Sequence, residues 1–245
     1  MCLTNRSDKF PPSIDPACLI NKQKKDKIAD FFLVLAFFYN DLKDIFFHVN
    51  QTQIEFQNVN KKKISFATGE YNGIVRHLQR LMISILHEFF NFIETNKETL
   101  KTREFCSLYE KLDERSRNNW DSIIKVSTNN GSMDNSNFLQ ILLLIRHNLT
   151  FHYYQSQNFL REGFCKHFFD DPKNDANTKA YYSIGNNMKN TRFFYCDASA
   201  SRLLEDQIEK EMTYDKFRDT FSKVVEDLNF VIMNLMEEYL KQKSC

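Results

Sequence analysis

One stretch of the 245-residue chain gathers groups suited to acid–base and phosphate chemistry: Arg146, His147, Asn148, Thr150, His152, Tyr153 and Tyr154. It follows the apolar run 141–145 directly. An imidazole changes charge near neutral pH, so either histidine can take or give a proton. A guanidinium can grip a phosphate through two parallel hydrogen bonds and offset charge that builds on it. Asn148, His147 and Thr150 can orient a phosphate or a neighbouring ring. The same residues also have a plainer reading. An arginine and a histidine at the end of a buried helix can simply cap carbonyls and satisfy polar groups.

Other chemistries find less support. The chain has no G-x-x-x-x-G-K-[ST], no G-x-G-x-x-G and no H-E-x-x-H. His147 and His152 are five apart, a poor spacing for one metal on a helix, and His77 and His87 lack a helical-spacing partner, so they read as surface or internally satisfied rings. No metal and no cofactor is expected. The six cysteines form no C-x-x-C pair and read as free thiols in a reducing compartment. Net charge is +1, so any contact with nucleic acid has to be local. The basic runs at 22–27 and 61–63 read as solvated surface. Most of the aromatic residues read as core. Nothing near Met1 has the apolar core of a signal peptide, and the apolar stretch 31–38 is too short to span a bilayer. These features predict a cytoplasmic protein that does not enter membranes.

The elements that position the polar stretch are helices. Five glycines and four prolines over 245 residues leave few breakers. Apolar residues recur at three- and four-residue steps over about 24–50, 71–95, 102–127, 136–158 and 213–241, with a shorter helix near 198–210. The break at 113–119 allows two helices within 102–127. Pro11, Pro12 and Pro16 predict an irregular lead-in over 1–21. Aromatic runs on either side of an Asn-rich connection predict a small β-hairpin near 180–196. The expectation is all-α: one domain over 1–245, a bundle of about five to seven helices with that hairpin inserted.

Arg146, a polar residue after it, His152 five residues beyond that, then Tyr154, give R-x5-H-x-Y at the end of an apolar helix. This resembles the signature of the HEPN superfamily, the "higher eukaryotes and prokaryotes nucleotide-binding" helical domains. His147 stands where Asn or Asp is commoner, with Asn148 next, so two histidines are candidates and the motif favours His152. The resemblance implies metal-independent cleavage of RNA, the 2′-hydroxyl attacking the adjacent phosphate, in a toxin or defence factor. It assigns catalysis to Arg146 and His152 and support to His147, Asn148 and Thr150. It makes Tyr154 a possible target for a partner nucleotidyltransferase, and an antitoxin a second candidate partner. A non-catalytic binding or assembly module of the same fold is the alternative. On a straight helix at ~100° per residue, Arg146 and His152 lie ~120° apart. Either the helix distorts there or a second copy completes the site, and the resemblance implies a homodimer.

Overall fold

The computed structural model describes residues 13–60, 63–128, 133–150, 157–172 and 178–243. Ten α-helices run through them: α1 (Pro16–Leu19), α2 (Lys27–Glu55), α3 (Phe66–Thr95), α4 (Lys97–Leu100), α5 (Arg103–Lys111), α6 (Glu114–Ser127), α7 (Met133–Ile145), α8 (Gln157–Phe168), α9 (Phe194–Glu211) and α10 (Tyr214–Lys243). A π-helical turn, Arg146–Thr150, continues α7.

The chain is all-α, as its pattern predicts, but the number of helices exceeds five to seven. Two of the extra helices, α1 and α4, are single turns. The lead-in is helical at Pro16–Leu19 because Pro16 occupies the first turn, where its missing N–H costs nothing, and the Asp15 carboxylate accepts from Ala17 N at 2.9 Å. The region 102–127 divides where Leu112 is extended and Asp113 caps the next helix, accepting from Ser116 N at 2.7 Å. Of the helix expected over 136–158, α7 with its π turn runs to Thr150 and α8 starts at Gln157; residues 151–156 lie outside the described residues.

The expected hairpin is absent among the described residues. Ser183 and Arg192 make one antiparallel bridge, each N–H donating to the other's carbonyl at 2.8 and 2.9 Å. No ladder grows from it. On one side, Met188–Asn190 closes a 3-10 turn capped by Asn187. On the other, α9 begins at Phe194, so the second aromatic run enters a helix instead of a strand.

Side chains of α2, α3, α5, α6, α7, α9 and α10 meet in one buried cluster. Phe31, Phe32 and Leu35 of α2, Ile83, Leu86 and Phe89 of α3, and Phe138 and Ile141 of α7 are all fully buried there. The three- and four-residue steps that mark these positions in sequence are the steps that keep them on one helical face. Truncating a ring such as Phe89 to alanine costs about 3–5 kcal/mol at a site of this kind. No helix among the described residues is long and apolar enough to cross a membrane.

Two close approaches depend on glycine. A Cβ on Gly163 of α8 would lie 2.3 Å from the Ser199 carbonyl oxygen of α9, so those helices pack backbone against backbone. A Cβ on Gly73 of α3 would lie 1.9 Å from the Arg192 guanidinium, which Glu70 (3.0 Å) and Asp197 (2.8 Å) hold against that helix. Beside the Gly163 contact, Lys166 of α8 pairs with the buried Asp206 of α9 at 2.8 Å, and Arg202 pairs with the same carboxylate at 3.2 Å.

Candidate functional site

α7 delivers the polar stretch. Phe138, Ile141, Leu142 and Ile145 are fully buried, which fixes the rotation and height of this helix within the bundle. At Arg146 the backbone widens from α to π winding. Such single turns insert one residue and recur at functional sites. The side chains here suit a widened turn. Asn148 and Thr150 are weak helix formers. The buried Thr150 hydroxyl reaches the carbonyl five residues back, Ile145 O at 3.3 Å, and lies 3.5 Å from Arg80 O on α3. Ser84 donates to the same Arg80 carbonyl at 2.9 Å. Of the two outcomes weighed from the angular arithmetic, the helix does distort.

The structure brings Arg146, His147, Asn148 and Thr150 together on this turn. The predicted His152 and Tyr154 lie outside the described residues. Thr150 is buried, and its role in the turn is to hold the winding. Arg146 is about one-quarter exposed, and its Nε pairs with Oε1 of Glu88 on α3. The next residue back, His87, has Nδ1 at 3.6 Å from the same carboxylate oxygen. Asn91 Nδ2 lies 3.2 Å from His87 Nδ1. Burial holds the His87 pKa below the ordinary imidazole value; the positive charges of Arg146 and His147 push the same way, and Glu88 opposes them.

The site is therefore the Arg146 guanidinium and the His87 imidazole beside one carboxylate, on two helices, with His147 next to Arg146 on the π turn. Because Glu88 takes Nε, the two terminal nitrogens of Arg146 form the edge that can meet a phosphate bidentately. His87, Glu88 and Asn91 were not readable as site residues. They sit one helix away, and α3 carries them at the end of an ordinary amphipathic pattern. The one hint was a His-Glu pair interrupting an otherwise apolar run.

The chain matches no protein-family model, no curated protein and no solved structure.

A separate cleft of about 1030 Å³ opens at the other end of α3. It lies between the start of that helix, the end of α8, the start of α9 and the bridged segment around Ser183. The described cysteines Cys18, Cys106, Cys165 and Cys196 are not in disulfides.

Proposed function

We propose that the protein is a metal-independent endoribonuclease of HEPN type, serving as a toxin or defence factor. One observation carries the reading. The buried helix changes to a π turn at Arg146, so the R-x5-H motif starts on a guanidinium, about one-quarter exposed, that an acid on a neighbouring helix orients.

In this mechanism the RNA 2′-hydroxyl gives its proton to a histidine of the motif, and the 2′-oxygen attacks the adjacent phosphorus. The P–O5′ bond breaks, a second proton donor protonates the leaving O5′, and a 2′,3′-cyclic phosphate forms. Arg146 offsets the charge that builds on the phosphate oxygens. His152 is the preferred proton carrier and His147 the alternative. His87, held toward its neutral form by burial, adds an uncharged imidazole beside the arginine. The 2′-hydroxyl requirement selects RNA over DNA. A second copy related by two-fold symmetry supplies the complementary motif, and Tyr154 is the position for modification by a partner enzyme.

The Arg146–Glu88 pair also favours a second reading, a non-catalytic module in which the same contact ties the π turn to α3. One experiment separates the two. Purified protein is incubated with a defined RNA in EDTA and the product ends are identified by mass spectrometry. Cyclic 2′,3′-phosphate ends that disappear in Arg146→Ala support the nuclease. An intact substrate at every protein concentration, from a folded protein, supports the module.

A further inference from the structure

The 1030 Å³ cleft has an unusual lining for a helical protein. Its rings are exposed instead of packed: Tyr182 is 64% accessible, Tyr181 45% and Phe66 40%. They are also held in place. Tyr195 N donates to Tyr181 O at 3.1 Å, and the Ser183–Arg192 bridge follows immediately, so the segment bearing both tyrosines is pinned to the start of α9. Phe194 is wedged against Gly69, where a Cβ would come within 2.4 Å of the ring. The charge is one-sided. Lys63 and Lys179 line the cleft with Arg76, which pairs with Glu205 at 3.3 Å, and Asp197, the single acid among the described lining residues, is committed to Arg192 at 2.8 Å. Fixed, solvent-facing rings beside lysines match the chemistry of unpaired bases on a phosphate backbone.

The geometry points to this cleft as a grip for single-stranded RNA, holding bases some distance along the strand from the phosphate that is cut. This deepens the ribonuclease reading and rests on it for the identity of the strand. Arg76, in the cleft wall, and Glu88, at the Arg146 site, are both on α3, separated by roughly 18 Å at 1.5 Å per residue. A strand shorter than this reaches one site or the other. A duplex keeps its bases stacked on each other and cannot use the rings.

The test is fluorescence anisotropy with an end-labelled ten-residue oligouridylate, in the full chain carrying Arg146→Ala so that binding is read without cleavage. The same measurement is made with a three-residue oligouridylate and with a blunt RNA duplex of ten base pairs. The ten-residue strand should bind at least tenfold more tightly than either. Tyr182→Ala should weaken it about tenfold, in line with loss of one stacked base. Lys179→Ala should weaken it and flatten the dependence of log K on log salt by about 0.7, the contribution of one phosphate contact on a single strand. Both positions are exposed, so circular dichroism should show an unchanged fold. Equal binding of strand and duplex, no gain with length, or full affinity in both cleft variants would overturn the grip. If the cleft variants lose affinity while the chain with Arg146 intact still fails to cut RNA, the ribonuclease reading falls and the grip stands.

Discussion

Replacing Glu88 with alanine probes the contact between the two helices of the site. The carboxylate holds Arg146 by Nε, and both side chains are partly exposed, at 45% and 26%. Pairs in such settings contribute only about 0.2–1 kcal/mol to stability. For a chain of this size, 1 kcal/mol moves Tm by about 2–4 °C, so Glu88→Ala should lower Tm by no more than that. The effect on cleavage should be larger. Without the carboxylate the guanidinium loses its fixed direction, and the aim of its terminal nitrogens at the phosphate degrades. A loss of ~1.4 kcal/mol of transition-state stabilisation is tenfold in rate. Removing the guanidinium itself should cost about 10²–10³-fold, the scale seen for a single oxyanion donor. Because Glu88 acts through Arg146, the double variant should be no slower than Arg146→Ala alone. The assay is single-turnover cleavage of a labelled RNA in EDTA, with Tm read on the same samples. Additive losses in the double variant, or wild-type cleavage by Glu88→Ala, would refute the positioning argument.

Three further outcomes follow from the structure. His87 has a folded pKa below its unfolded value of roughly 6.5, so the unfolded chain takes up its proton first. Stability should therefore fall as pH drops through about 6.5 and level off below the folded pKa, and His87→Gln should flatten part of that slope in Tm measured from pH 7.5 to 5.5. Gly163→Ala gains about 1 kcal/mol of helix propensity but drives a methyl into the Ser199 carbonyl, an overpacking of about 1–3 kcal/mol that backbone cannot relieve cheaply. A lowered midpoint in urea is expected; a raised one would mean that α8 and α9 separate freely. Thr150→Val keeps the shape but removes the hydroxyl that reaches Ile145 O and Arg80 O, and should cost about 0.5–1.5 kcal/mol by the same urea assay.

The bundle was legible in the sequence where burial is one-sided and long. The stripes of Phe31, Leu35 and Leu42, of Leu78, Leu86 and Ile93, and of Val224, Val231 and Leu235 declare their helices because each repeats one face toward the core. Helix ends were less legible. α3 starts at Phe66, ahead of its apolar stripe, because Ser65 caps it, and its first turns carry glycines and polar residues that line a cleft instead of a core. The hairpin was misjudged because aromatic runs favour strands only if a partner strand forms, and Phe194 and Tyr195 are taken into α9. Within the site, Arg146, His147, Asn148 and Thr150 stood out by type and order. The π turn was legible only as a conflict between the motif and straight-helix geometry. Glu88 and His87 showed only as a His-Glu pair in an apolar run, since only the packing of α3 against the π turn brings them near Arg146. The exposed rings of the cleft were also missed, because aromatic content alone does not tell a core ring from a displayed one.

We propose that Arg146 and His152 cut RNA. The most direct measurement is the single-turnover rate of one RNA in EDTA for the unaltered chain, Arg146→Ala and His152→Ala, each shown to be folded by circular dichroism and thermal melting. Cleavage by the unaltered chain that falls a hundredfold or more in both variants, with Tm nearly unchanged, is the predicted result. Undiminished cleavage in both variants, or an inert parent whose variants lose stability instead of activity, would contradict it.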